Sequence, residues 1–438
     1  MPAHPLAIEF ISPDRLTEHP DNPRDHSRKQ RRQIARSIRR LGFYNPILVN
    51  ELYVIIAGHG RYQAAIELGL ESVPVIRLDG LSEAEQCGLM VADNRIAEGS
   101  SWDPDRLTKV LRGLTDISFD LEDVGFDTAE VDLLLNHHDD GSIFDEADAV
   151  EEPNRNRPAI SKHGDLYVMG PHRLLCGNAL DPESYVALLG SELARAVVAD
   201  SPYNVRTEGH ISSRNRARHP SFMQAAGELS EEQFTGFLRA VMTLLCMHSV
   251  DGSLHYLFMD WRHMFELLTA SRDLYELKNM CIWAKDNGGL GSLYRSQHEI
   301  VAVFKNGNAP HINNIELGRH GRNRTNVWRY PGVNTMRKGR LADLKDHPTI
   351  KPVALIADAI LDCTKIGDTV LDPFVGSGTT ILSAERTRRR AAAIEIDPFY
   401  VDTAIRRVQE RTGLMAVHHA TGATFDELAS LKGGSDER

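Results

Sequence analysis

Apolar positions in the first hundred residues switch between helical and strand periods. Ile34, Ile38 and Leu41 recur at helical intervals behind Ser27 and Gln30, which have capping-box spacing, and Gly42 closes the predicted helix. Short apolar runs at 46–49 and 53–57, joined tightly across 50–52, predict two strands. Gly58-His59-Gly60 then leads into a helix beginning near Arg61, and a helical segment is predicted from Asp103 to about Asn136. From His137 to Pro158 the large apolar residues thin out, and acidic residues precede a proline-bounded Pro153-Asn-Arg-Asn-Arg-Pro158, the pattern of a linker.

Beyond the linker, strands and helices alternate. Runs at 166–169 and 173–176 flank Gly170-Pro171 as a hairpin, and 196–199 is a short buried strand ending at Asp200. Ser230 and Gln233 repeat the capping-box spacing ahead of Phe234, Phe237, Leu238, Val241, Leu244 and Leu245, one apolar helical face. A strand at 369–371, a helix at 379–388 and a strand at 391–396 make a βαβ unit, which requires a parallel sheet. The last twenty residues or so carry one short helix and a Gly-Gly-Ser-Asp tail.

Composition narrows the class without changing this outline. The chain has 438 residues, 61 acidic and 50 basic, with a formal charge of −11, and 42% of it is apolar, enough to bury real cores. No apolar run approaches the ~18 residues of a bilayer span, and residues 1–15 lack a leader pattern, so a cytoplasmic protein is expected. The five cysteines are odd in number and contain no Cys-x-x-Cys pair, which argues against a disulfide framework and against a metal site.

Two motifs carry candidate chemistry. In Val370-Leu-Asp372-Pro373-Phe374-Val-Gly376-Ser377-Gly378-Thr379, a strand runs into glycines that open a helix, where the backbone can approach a ligand and free N–H groups point outward. Glu395 lies nineteen residues beyond Gly376 at the end of the next strand, where a carboxylate can accept from ribose hydroxyls. A tight strand–helix turn is the plainer reading of the glycines alone. The second motif, Asp200-Ser201-Pro202-Tyr203, follows a strand immediately: a carboxylate to accept from an exocyclic amine, a rigid turn, and a ring to stack on a base. Alone it would read as an ordinary strand-end turn.

Together these residues resemble the DNA amino-methyltransferases that modify adenine N6 or cytosine N4, in which a Gly-x-Gly motif binds S-adenosylmethionine and an Asp/Asn/Ser-Pro-Pro-aromatic motif holds the base. The order here, base motif first, is similar to that of the β class. His347-Pro-Thr-Ile-Lys351-Pro352, Gln297-His-Glu299 through Lys305, and Cys176-Gly-Asn178-Ala179-Leu-Asp181 add further resemblance over about residues 161–415. The resemblance implies an α/β, Rossmann-like methyltransferase core, with a mixed, mainly parallel sheet in three layers. It assigns Asp200, Ser201, Pro202 and Tyr203 to catalysis. To the cofactor it assigns Asn178, Ala179, Lys351, Asp372, Pro373, Phe374, Gly376, Ser377, Gly378, Thr379 and Glu395. Asn178 stands where the family often has aspartate. Ser201 replaces the first proline of the base motif: read as a substitution the motif resembles the adenine form, read with a deletion it resembles the cytosine form. Substitution keeps the carboxylate in place and favours adenine. The expected reaction is direct in-line methyl transfer to a flipped-out base, without metal or covalent intermediate.

The interval 318–340 carries Arg319, Arg322, Arg324, Arg329, Arg337, Lys338 and Arg340 around Trp328 and Tyr330. A solvated face is the plain reading; its place where the family's target-recognition segment lies, about 285–340, points to contact with double-stranded DNA. Near the N-terminus, Asn22-Pro-Arg24, Gly42 through Val49 and Ala57-Gly58-His-Gly60-Arg61-Tyr-Gln-Ala64 resemble the ParB-like N-terminal domain, a small α+β module. Gly58, Gly60 and Arg61 are then a candidate phosphate or nucleotide site; a DNA-docking module without nucleotide is the alternative. The expected layout is a ParB-like domain at 1–100, a helical extension at 101–137, an acidic linker at 138–160, a methyltransferase domain at 161–415 and a tail at 416–438. A homodimer and a restriction-modification setting are implied only by analogy. The competing functions are an N4-cytosine methyltransferase and a nucleotide-switched DNA-binding protein with an inactive methyltransferase domain.

Overall fold

The computed structural model describes residues 6–98, 102–117, 119–126, 128–135, 145–150, 153, 155–204, 228–286, 288, 293–315, 324–332 and 351–433. The chain forms two compact units, 1–137 and 138–438.

The first unit contains β1 (Ile8–Ile11), β2 (Thr17–Glu18), α1 (Arg28–Leu41), β3 (Ile47–Val49), β4 (Val54–Ala57), α2 (His59–Leu68), β5 (Val73–Arg77), α3 (Glu83–Glu98), α4 (Pro104–Asp116) and α5 (Thr128–Leu135). Its five strands form one sheet in the order β1-β5-β3-β4-β2, over a core of Ile11, Leu16, Ile47, Val49, Ile55, Ala65, Val73 and Val75. At the start of α1 the Ser27 hydroxyl accepts from the Gln30 N–H at 3.2 Å, and Gly42 ends the helix with φ +89°, a conformation in which glycine avoids the Cβ penalty. The helical run expected over 103–136 is broken, because the chain turns through a 3₁₀ segment, Leu121–Val124, to Gly125 at φ +94°. The sequence reading missed α3, in which Met90 is buried while Val91 and Ile96 are exposed, so no clean apolar stripe marks it.

The second unit contains β6 (Leu166–Met169), β7 (His172–Cys176), α6 (Pro182–Leu189), β8 (Ala194–Asp200), α7 (Glu231–Met247), β9 (Ser249–Met259), α8 (Met264–Ser271), β10 (Tyr275–Ala284), β11 (His298–Asn306) and β12 (Val327–Arg329). It continues with α9 (Val353–Cys363), β13 (Thr369–Asp372), α10 (Thr379–Arg386), β14 (Arg390–Glu395), α11 (Pro398–Thr412), β15 (Ala416–His418) and α12 (Phe425–Gly433). Ten strands make one sheet, β12-β10-β11-β9-β8-β13-β14-β7-β6-β15. The central run β9-β8-β13-β14-β7 is parallel throughout, while β11 is antiparallel to both β9 and β10.

Both faces of this sheet are covered, and the period-2 alternation shows it. On β8, Val197 and Ala199 join the core built with α7 and α8, whereas Ala196 and Val198 join the core built with α9. On β14, Ala392 and Ile394 face the first of these, and Ala391 and Ala393 pack with Val401, Ala404, Ile405 and Val408 of α11. The result is the mixed, mainly parallel α/β sheet between helical layers that the resemblance implied. The start of the expected tail belongs to this body: β15 pairs with β6, and Phe425 is buried beside Tyr167. Part of the expected linker does too, since residues 145–150 and 155–161 hydrogen-bond to the second unit's helices and to the loop before α11.

Candidate active site

Parallel strands deliver both motifs to one edge of the sheet. Val370 of β13 pairs with Ala196 of β8 and with Ala391 of β14, so Asp200, Asp372 and Glu395 all emerge at the carboxyl ends of neighbouring strands. There the chain leaves the sheet and backbone groups are available to a ligand. Because β11 runs the opposite way, its beginning reaches the same edge: Ile300 pairs with Met259 at the end of β9, and Glu299 lies beside Trp283 at the end of β10.

The base motif sits in a small network of opposite charges. Lys351 Nζ donates to Asp200 Oδ2 at 2.7 Å and lies 3.0 Å from Glu299 Oε2, while Lys285 Nζ lies 2.6 Å from Glu299 Oε1. The Tyr203 hydroxyl donates to Asp200 Oδ1 at 2.7 Å and stands 3.1 Å from Glu299 Oε2. The Lys351 ammonium is walled by the rings of Tyr203, Phe258 and Trp283, at 5.3–5.9 Å from their centroids. Burial pushes the Asp200 carboxyl above the usual carboxylate range, opposed by Lys351 and reinforced by the nearby Glu299. Burial acts on Glu299 in the same direction, yet its two lysine neighbours hold it below the usual range. Lys351 is held above the ordinary lysine value, because its two carboxylates outweigh its desolvation. Asp200 nonetheless keeps 28% of its side-chain surface open.

The glycine motif forms the second half of the site. Asp372 is buried at the end of β13; its Oδ1 accepts from the Phe374 N–H at 2.9 Å and its Oδ2 from the Thr380 hydroxyl at 2.6 Å, which fixes the turn. Burial raises both the Asp372 and Glu395 carboxyls to about 7. Gly376 and Gly378 have φ of +54° and +89°; a Cβ on Gly378 would come within 3.2 Å of the Ala404 Cβ, whereas one on Gly376 would meet nothing within 4 Å among the described residues. The first glycine thus leaves open space and the second permits close helix packing. Glu395 accepts from the Gly376 N–H on one oxygen and the Asp397 N–H on the other, both at 2.9 Å, leaving each oxygen a further lone pair. Asn178 and Ala179 follow β7, and the Gly177 N–H donates to the Glu395 backbone carbonyl at 2.9 Å, so this loop adjoins the end of β14.

Some expected residues take other places. Lys351, expected at the cofactor, has its ammonium on Asp200 and Glu299. Arg324, expected on DNA, is instead turned inward: its guanidinium is ion-paired with Asp358 at 2.7 Å and Asp362 at 2.8 Å, over the Trp328 ring. Trp328 itself is buried, because β12 pairs with β10. Arg329 is exposed, and Arg319, Arg322, Arg337, Lys338 and Arg340 lie outside the described residues, as does His347-Pro-Thr-Ile. Ser201 is buried and its hydroxyl has no hydrogen-bond partner among the described residues, while Pro202 links it to Tyr203. In the first unit, Gly58 opens α2 with φ +101°, and Gly60 is buried. A Cβ on Gly58 would meet the Arg61 guanidinium at 2.8 Å, so the glycine makes room for that cation, which donates to the Pro46 carbonyl at 3.3 Å.

Sequence reasoning did not single out Arg407, and it placed Lys285 only at the start of the target-recognition segment, about 285–340. Arg407 Nη1 donates to the Ser377 carbonyl and hydroxyl, each at 3.0 Å, and to the Thr379 hydroxyl at 3.1 Å. Its signal, one arginine beside the apolar stripe of α11, is too common to stand out. Among the described residues no cluster of His, Cys, Asp and Glu is arranged to hold a metal ion, and no helix is long and apolar enough to cross a membrane.

With this geometry in hand, comparison with known proteins defines the class. Residues 194–406 match the N6/N4 family of DNA methylases, residues 3–94 the ParB N-terminal domain, and residues 105–163 the ParB-methyltransferase HTH domain. The chain is a DNA methyltransferase of the N6/N4 family carrying a ParB-like domain. It is similar to the type II methyltransferase M.HpaI of Haemophilus parainfluenzae, at 26% identity over 252 residues covering 54% of this chain and 74% of that protein. It is also similar to the DNA adenine methyltransferase YhdJ of Escherichia coli (strain K12), at 28% identity over 37% of this chain and 59% of that one. Among solved structures, the PvuII DNA methyltransferase, described as cytosine-N4-specific, is 16% identical with a TM-score of 0.42, over 61% of this chain and 93% of its own.

Proposed function

We propose that the protein transfers a methyl group from S-adenosylmethionine to the N6 amine of adenine in double-stranded DNA. The observation that carries the base assignment is the placement of Asp200. Its carboxylate stands among Tyr203, Lys351 and Glu299 at the sheet edge, whereas the neighbouring Ser201 hydroxyl is buried with no partner among the described residues. This supports reading Ser201 as a substitution within an adenine-type motif.

The residues present suit the cofactor. Gly376 leaves open space before a helix N-terminus, and Glu395 keeps lone pairs for ribose hydroxyls. In this reading Asp372, Pro373, Phe374, Gly376, Ser377, Gly378, Thr379 and Glu395 hold it, with Asn178 and Ala179 beside them. When bound, it supplies an electrophilic methyl group.

An aromatic exocyclic amine is a weak nucleophile because its lone pair is delocalised into the ring. Asp200 and a carbonyl beside Pro202 accept hydrogen bonds from its two N–H groups, which favours a more tetrahedral nitrogen. Each Asp200 oxygen accepts one hydrogen bond, from Tyr203 or from Lys351, and keeps a further lone pair for the amine. Glu299 shares both of these donors and holds them in place. After transfer the nitrogen's extra proton passes to an Asp200 oxygen, whose affinity for protons burial has raised. Tyr203 supplies a stacking surface for the flipped base, and Arg329, together with Arg319, Arg322, Arg337 and Lys338, contacts DNA phosphates or base edges.

The test is methylation of unmethylated duplex DNA with labelled cofactor, read by nucleoside mass spectrometry. N6-methyladenine, abolished by Asp200→Ala while cofactor binding persists, is the expected result. N4-methylcytosine would overturn the base assignment. Cofactor binding without any methylated nucleoside would overturn the DNA reaction and favour a DNA-binding role for the ParB-like domain.

A further inference from the structure

The residues that enter the second unit contact the groups that shape its glycine loop. The Ala147 carbonyl accepts from Arg407 Nη2 at 2.6 Å and from Nε at 3.2 Å, while Nη1 of the same guanidinium holds Ser377 and Thr379. Asp145 fixes this turn twice: its Oδ1 accepts from the Ala147 N–H at 2.9 Å, and its Oδ2 is 2.5 Å from Arg386 at the end of α10. Asp148 accepts from the Val353 N–H at 2.7 Å, capping α9 two residues after Lys351. Farther along, Arg155 is ion-paired with Asp397 at 2.6 Å and lies over the Phe399 ring, and the Asp397 N–H donates to Glu395. The Ile160 and Ser161 N–H groups donate to Asp402 of α11.

We infer that residues 145–150 and 155–161 are a brace for the cofactor site, with Arg407, Asp145 and Arg155 as positioning residues that set how firmly the glycine loop and Glu395 are held. The physical basis is the shared guanidinium. Arg407 is buried, and an N–H that loses the Ala147 carbonyl must find another acceptor or go unsatisfied. Its planar fork is rigid, so any reorientation also disturbs the donors on Ser377 and Thr379. Arg155 acts on the other half of the site, because Asp397 both caps α11 and donates to the carboxylate assigned to the ribose. The match to the HTH-type domain, residues 105–163, runs across the boundary between the two units at 137/138 and includes this brace. That segment therefore ends on the groups that hold the loop. The inference rests on the cofactor assignment made above, and its test separates the two.

The full chain, Asp145→Ala, Asp145→Asn and Arg155→Ala are compared in two measurements. The first is hydrogen exchange of the backbone amides at 376–380 without cofactor, which reports loop order whatever the ligand. The second is titration with S-adenosylmethionine together with steady-state methylation. Asp145→Ala is expected to speed exchange at 376–380. Asp145→Ala and Arg155→Ala are each expected to raise Kd and KM for the cofactor by about tenfold, with kcat at saturation within about twofold. Asp145→Asn, which keeps the turn's acceptor, restores most of both. Unchanged exchange and unchanged affinity in folded variants would overturn the brace, even if their melting temperatures fell. Failure of the parent chain to bind the cofactor would overturn the cofactor assignment, and the exchange measurement would then decide the brace alone.

Discussion

Replacing Lys351 by methionine tests the charge network at its centre. The change keeps a long chain among the rings of Tyr203, Phe258 and Trp283 but removes the cation held 2.7 Å from Asp200 and 3.0 Å from Glu299. Breaking a buried pair leaves the partner charge unpaired, at a cost of about 3–5 kcal/mol. The pH dependence identifies the cause. Without Lys351, the Asp200 carboxyl, already raised by burial, rises further, and the folded protein retains a proton that the unfolded chain releases. A carboxyl raised on folding contributes stability below its unfolded value of about 3.9 and loses it as pH climbs through the folded value, by up to about 1.4 kcal/mol per unit. The variant should therefore nearly match the parent at about pH 4 and trail it by the full amount at about pH 8. At about 2 °C per kcal/mol for a unit of this size, the melting difference at the higher pH is about 6–10 °C. Thermal melts of both proteins across that range are the assay. A melting difference that stays constant with pH would refute the argument, because a simple packing defect does not titrate.

Two further substitutions separate roles that the sequence treats alike. Gly378→Ala places a Cβ 3.2 Å from that of Ala404 at φ +89° and should cost about 1–3 kcal/mol in denaturant titrations; Gly376→Ala meets nothing within 4 Å among the described residues and should cost about 1 kcal/mol. A loss of S-adenosylmethionine affinity in Gly376→Ala beyond its small stability change would show that the open space there belongs to the ligand. Arg324→Met removes the cation paired with Asp358 and Asp362, of which Asp362 is buried, and should destabilise the chain by about 3–5 kcal/mol in the same titrations. Weaker DNA binding at unchanged stability would instead return Arg324 to the DNA-contacting set.

Local pattern alone disclosed much of the scaffold. The capping box at Ser230, the 166–176 hairpin and the 369–396 strand–helix–strand unit depend on residues a few positions apart, and each forms as its spacing predicts, whereas at Ser27 the hydroxyl caps the helix but the Gln30 side chain bonds His26 instead. The glycine motif and Glu395 were legible for the same reason, since one βαβ unit brings them together. Asp200 was legible as a candidate, but its partners were not: Glu299 and Lys351 lie 99 and 151 residues away, joined to it because antiparallel β11 starts at the edge where parallel β8 ends. Lys351 and Arg324 show the limit most clearly. A cation in a sequence carries no sign of whether it faces phosphate, cofactor or a buried carboxylate, and Asp358 and Asp362 become Arg324's partners only when α9 packs on the sheet. The sequence by itself determined most of the elements and the glycine turn, because those follow from local sterics and periodicity, while the candidate reactive side chains came from the family resemblance. Tertiary structure decided which charges neutralise one another and which groups hold the glycine loop, because that depends on strand order and direction, which no short window of residues encodes.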